Sequence, residues 1–217
     1  MRVRISHTLN ALDPRPKTRH FIHIPKNGGM AVRLALALKG VALERPLHSR
    51  YVDLEPKTGR RYFCVVRNPW SRTASRYLYT KRNAAEWPDT DPRRQYIESV
   101  TFEQYIDDRR VFPIPGQVDR AWPLSLWIDQ LDWITDRKGS VAGDCLRLEE
   151  LDGDLSAYFG RHINVQRASL FRTGPYNYRS MYSARAIQAV ADAFARDIDH
   201  FGFDFDRGAT RNTYALS

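Results

Sequence analysis

Two short apolar runs, residues 20–24 and 61–66, each end at a proline-bearing turn and pass at once into helical spacing. The first belongs to FIHIPKNGGMAVRLAL, from Phe21 to Leu36: alternating apolar residues, Pro25, Lys26 and two glycines, then a helix expected over 28–39 that Gly40 ends. The second, RYFCVV, is continuous and rich in aromatic and β-branched residues, the pattern of a strand covered on both faces. RNPW stops it, and 71–81 reads as helix. A third strand is expected over 144–151, DCLRLEEL. Buried strands that alternate with helices demand an α/β fold whose sheet is at least partly parallel.

The remaining segments fit one domain over residues 1–217, long enough to bury a core, with 1–18 as a loose lead-in. A loop-rich connection is expected over 45–59, and a polar, proline-bearing loop over 83–94 that suits an acceptor-binding or lid element. Helices are expected over 101–109, in part of 123–136 and over 155–162. The strongest amphipathic helix spans 183–200, with Ile187, Val190, Ala191, Phe194 and Ile198 at helical spacing. The tryptophan-bearing stretch 122–133 reads as core packing.

The formal net charge of +9 calls for an anionic partner: a nucleic acid, an anionic membrane surface or a polyanionic small molecule. No segment is long and apolar enough to span a membrane, and the N-terminus lacks the pattern of a secretory signal. Cys64 and Cys145 sit in apolar contexts, as buried thiols of a reducing compartment do, so a cytoplasmic protein is expected. Cysteine and histidine spacing shows no metal-ligand set.

Two places carry chemistry. A strand, a glycine turn and a helix start form an anion-binding device, because the first N–H groups of a helix lack intrahelical partners and carry partial positive charge. Gly28 and Gly29 permit close backbone approach, and Lys26 adds a mobile cation. The pattern is not G-x-x-x-x-G-K-[ST], since the lysine precedes the glycines and no hydroxyl follows to hold magnesium. In VVRNPWSRTASRY, Arg67 stands at the carboxyl end of a buried strand, where open α/β sheets bind ligands, and Ser75 follows on the next helix. A guanidinium is a natural fork for phosphate.

Taken together, HIPKNGG and VVRNPWSRTASRY resemble the paired donor-binding motifs of sulfotransferases that use 3′-phosphoadenosine 5′-phosphosulfate (PAPS). The likeness is to the carbohydrate, membrane-type branch that includes heparan sulfate 2-O-sulfotransferase and bacterial relatives. WITDRKGSVAGDCLRLEEL and YNYRSMYSARAIQAVADAFARDIDHFGFDF are similar to that family's later blocks, so the likeness runs in order over roughly residues 20–206. It implies a P-loop NTPase-like three-layer fold with a central, mainly parallel sheet flanked by helices. It implies that Lys26 contacts the 5′-phosphosulfate, that the turn Asn27, Gly28, Gly29 and Met30 cradles it with backbone N–H groups, and that Arg67 and Ser75 hold the 3′-phosphate. Asn27, Met30 and Ala31 stand where the family usually has hydroxyl residues, so either the backbone and Lys26 suffice, donor affinity is weaker, or the chain has drifted to binding alone.

Sulfuryl transfer, like phosphoryl transfer, needs positioning and charge stabilisation. Lys26 supplies charge to the leaving phosphate without a metal, and the acceptor hydroxyl or amine needs a base, a task suited to histidine. Of the six histidines, His48 is preferred: it follows Lys26 by 22 residues, precedes Arg67 by 19, and matches the catalytic histidine of the 2-O-sulfotransferase-like branch. His7 lies in the lead-in, His20 on the first strand, His162 and His200 at helix ends, and His23 suits a supporting role. Glu149 or Glu150 is an alternative base, although an Arg147–Glu149 pair is the plainer expectation for RLEEL. Arg172 is a further expected donor contact. The likeness points to a bacterial-type cytosolic enzyme acting on a saccharide, lipid precursor or small metabolite. A nucleotide kinase-like phosphotransferase and a basic nucleic-acid-binding protein are the alternatives, the first lacking its magnesium-holding hydroxyl, the second leaving both motifs unexplained.

Overall fold

The structure, a computed structural model, describes residues 19–41, 43, 48–54, 60–109, 112–114, 117–122, 127–165 and 177–216. Its centre is a three-stranded, all-parallel sheet of β1 (Arg19–Ile22), β2 (Arg61–Val66) and β5 (Asp144–Arg147), with β2 in the middle. Phe21 pairs with Phe63 in register and Cys64 with Cys145. The continuous apolar run of β2 is needed because both its faces are covered. Phe63 and Val65 pack with Phe21 and Leu146 against α1 (Gly29–Ala37) and α6 (Leu151–Phe159). Tyr62, Cys64 and Val66 face the opposite way, onto the cluster that holds α2 (Pro69–Ala84), α3 (Pro92–Ser99), α4 (Phe102–Asp108) and α7 (Ala184–Ala193). The fold is therefore mixed α/β, a parallel sheet with helices on both faces.

The helix ends follow the sequence closely. Asn68 caps α2 by accepting from the Ser71 N–H at 3.1 Å, with Pro69 in the first turn, where its missing N–H costs nothing. Thr101 and Gln104 form a capping box at α4, and Gly160, in the left-handed region at φ 64°, stops α6. Asn68 also donates to the carbonyls of Asp204 (2.7 Å) and Arg207 (2.9 Å), so the RNPW turn anchors the C-terminal segment as well as its own helix.

Several expectations shift. The loop expected over 83–94 shrinks to 85–91, because α2 runs on to Ala84 and Asp91 caps α3. The expected helix 155–162 is α6, which begins at Leu151, separated from the end of β5 by three residues, and stops at Phe159. The expected helix 183–200 is two, α7 and α8 (Ala195–Phe201), broken at Phe194 (φ −124°, ψ 32°). A two-stranded antiparallel pair, β3 (Phe112–Ile114) with β4 (Gln117–Trp122), and a single turn of helix, α5 (Leu131–Ile134), complete the order. The Arg147–Glu149 pair does not form. Arg147 grips Asp154 of α6 in a fork, Nε to Oδ2 at 2.9 Å and Nη2 to Oδ1 at 2.6 Å, because the strand ends at Arg147 and the helix brings Asp154 back over it. Cys64 and Cys145 are buried free thiols with sulfurs 3.7 Å apart, and burial pushes the Cys64 thiol well above its ordinary range. Among the described residues no helix is long and apolar enough to cross a membrane.

Candidate functional site

Because β1 and β2 are parallel neighbours, the turn after β1 and the residue after β2 meet at one edge of the sheet. The turn is held in an unusual shape: Lys26 (φ 68°) and Gly28 (φ 74°) both adopt left-handed backbone, rare for a lysine. Asn27 secures it from beneath. Its side chain is buried and donates to Val65 O at 2.7 Å and to Gln130 Oε1 at 2.6 Å, so Asn27 faces the core and offers the surface its backbone alone. Gly28 is the N-cap of α1 and brings no side-chain acceptor to it. The first N–H groups of α1, at Gly29, Met30 and Ala31, thus lack the cap that Ser or Asp supplies elsewhere. The Met30 side chain projects outward and is exposed.

Gly29 is required by a close approach. A Cβ there would lie 2.0 Å from the Cδ2 of His23 and 2.1 Å from its Nε2. The His23 ring is buried against the helix start, and His48 packs on it with ring centroids 4.4 Å apart. His48 Nδ1 lies 3.1 Å from the His23 carbonyl, an acceptor only, so Nδ1 carries a hydrogen. Burial, then the positive charges of His48, Arg33 and Lys26, lower the His23 pKa to about 3. His23 therefore stays neutral through the neutral range.

Arg67 closes the site. Its Nη1 donates to the Lys26 carbonyl at 2.8 Å, and its Nε and Nη2 donate to Ser71 Oγ at 3.0 and 2.8 Å. Ser75 lies one turn further along α2 and is buried. The hydroxyl that Arg67 touches is Ser71, a residue that sequence marks only by its position four after Arg67. The Lys26 ammonium rests 3.6 Å from the centre of the Tyr79 ring. Burial, then the neighbouring charges of Arg76, Arg67 and Arg82, lower the Lys26 pKa to about 7. These cations share one edge of the sheet with an uncapped helix start, an arrangement of donors suited to an anion.

Of the other expected residues, Glu149 accepts from the Asn68 N–H at 2.9 Å and so supports the RNPW turn. His20 is buried beside Tyr62, His162 is exposed, and His200 lies in the last turn of α8. Arg172 and His7 lie outside the described residues. Among the described residues no cluster of His, Cys, Asp or Glu has the arrangement of a metal site. Comparison of the chain with protein-family models, with curated proteins and with solved structures finds no match.

Proposed function

We propose that the protein is a sulfotransferase that moves the sulfuryl group of PAPS to a hydroxyl or amine of a saccharide, lipid precursor or small metabolite, on a P-loop NTPase-like fold. The observation that carries this reading is the joining of Lys26 and Arg67 by one 2.8 Å hydrogen bond at an uncapped helix start, a donor set that fits a ligand with phosphate at both ends. The N–H groups of Gly29, Met30 and Ala31 receive the 5′-phosphosulfate, and Lys26 balances charge on the leaving phosphate oxygen. Arg67, with the hydroxyls of Ser71 and Ser75 on α2, takes the 3′-phosphate that distinguishes this donor from ATP. The acceptor oxygen forms its bond to sulfur as the bond from sulfur to the 5′-phosphate oxygen breaks, and His48 Nε2 takes the acceptor proton. Asn27 and Met30 replace hydroxyls with a core anchor and an exposed thioether, so the turn binds through backbone. These are groups of the chain itself, and the transfer calls for no metal.

Calorimetric titration tests the donor site. Adenosine 3′,5′-bisphosphate should bind more tightly than AMP or ATP, and Arg67→Ala should remove that preference at a cost of about 10–100-fold, the worth of one charged hydrogen-bonding partner. Equal binding of all three nucleotides by the wild type would overturn the reading and send the search for an anionic partner to nucleic acid, through the salt dependence of DNA binding. For the base, His48→Ala should slow transfer by about 10²–10⁴-fold and leave bisphosphate affinity within about twofold. A loss of binding that matches the loss of rate would make His48 a donor ligand instead.

A further inference from the structure

Gln130, just before α5, has no exposed surface, and its side-chain amide uses every hydrogen-bonding position it has. Oε1 accepts from Asn27 Nδ2 at 2.6 Å and from the Arg67 N–H at 2.9 Å. Nε2 donates to the Arg67 carbonyl at 2.9 Å and to Asp197 Oδ2 at 3.1 Å. The Arg67 N–H is a donor and its carbonyl an acceptor, so the orientation of the amide follows from its partners. By pairing with both backbone groups of Arg67, the amide acts as one peptide of an added strand where β2 has run out of strand partners. Asp197 of α8 secures it in turn, accepting from the backbone N–H of Gln130 at 2.7 Å and of Leu131 at 3.0 Å. The carboxylate is buried, and burial raises its pKa while these N–H groups oppose the rise.

We propose that Gln130 is a positioning residue for the donor site: one amide fixes the separation between the Lys26–Met30 turn, through Asn27, and the Arg67 backbone. This rests on the sulfotransferase reading, in which the turn takes the 5′-phosphate and Arg67 the 3′-phosphate. The two limbs come from different strands, and a rigid, fully satisfied amide shared between them keeps both in register for one ligand.

The test titrates adenosine 3′,5′-bisphosphate, adenosine 5′-monophosphate and adenosine 3′-monophosphate into wild type, Gln130→Met, Asn27→Ala and Arg67→Ala, with melting temperatures measured alongside. Gln130→Met, close in volume to the native residue, should lose about tenfold for each monophosphate and more for the bisphosphate. Asn27→Ala should lose more on the 5′-monophosphate than on the 3′-monophosphate, and Arg67→Ala, which also removes the bond to the Lys26 carbonyl, should lose more on the 3′-monophosphate. A Gln130→Met protein that melts lower yet binds all three ligands as the wild type does would overturn the inference and leave the donor site standing. A wild type that does not bind the bisphosphate would overturn the functional reading and this inference with it. Should Gln130→Met fail to fold, Asn27→Ala decides: equal loss at both monophosphates, or none, would overturn the role.

Discussion

Lys26→Ala is expected to reduce the proposed sulfuryl transfer by about 10²–10³-fold or more, the usual consequence of removing one preorganised charge from a developing oxyanion. The pH behaviour makes the expectation specific. Burial and three arginines lower the Lys26 pKa from 10.5 to about 7, so the lysine of the ligand-free protein is half neutral near pH 7. A bound anion restores the balance and raises the pKa. Above pH 7 phosphate is already dianionic, so binding must take up a proton at Lys26 and affinity should fall with rising pH, by up to about tenfold per unit. Calorimetry at pH 8 in two buffers of different ionisation enthalpy should register close to one proton taken up, and none in Lys26→Ala. The same uptake in both proteins would assign the proton elsewhere. Stability runs with the opposite slope. The unfolded lysine titrates near 10.5 and the folded one near 7, so between those values the unfolded state holds more protons and stability rises with pH. Lys26→Met should flatten that rise in denaturant melts compared at pH 7 and pH 9.5.

Gly29→Ala should be the most damaging single methyl in the turn. The added carbon would stand 2.0 Å from the His23 ring, which is buried between Phe21, at 5.6 Å between ring centres, and His48, at 4.4 Å. The ring has little room to turn away, so the helix start or the histidine pair must move. Overpacking of this kind costs about 3 kcal/mol, or a melting temperature lower by about 6–12 °C in a chain of this size. Displacing His23 also moves the carbonyl that orients His48, so transfer should fall further than stability explains. The double variant Gly29→Ala with His23→Ala opens the space and should recover part of the lost stability. A Gly29→Ala protein with a wild-type melting temperature would show that the close approach does not constrain the turn.

The elements were legible from local pattern. The strands are visible because β2 is buried on both faces and so cannot carry polar alternation. The turn after β1 is visible because glycines mark it, and Asn68 with Pro69 announces α2. Once β1 and β2 are known to be parallel neighbours, Lys26 and Arg67 must share an edge. The break at Phe194 was not legible: apolar spacing continues through it, and the first turn of α8 beyond it carries the buried, polar Asp197. Nor did RLEEL reveal that Arg147 would choose Asp154, since the choice depends on where the strand stops and the helix returns.

The sequence alone determined the α/β class, the strand–turn–helix units and the cationic character of the site, because periodicity, capping and backbone conformation are properties of neighbouring residues. Only the tertiary structure decided that Asn27 faces inward, that Ser71 is the hydroxyl on Arg67, that His48 rests on His23, and that Gln130 joins both limbs of the site. Those outcomes depend on partners far apart in the chain, 103 residues for Asn27 and Gln130 and 67 for Gln130 and Asp197. A buried polar group must find its hydrogen bonds wherever packing brings a complementary group, and no local pattern records where that is.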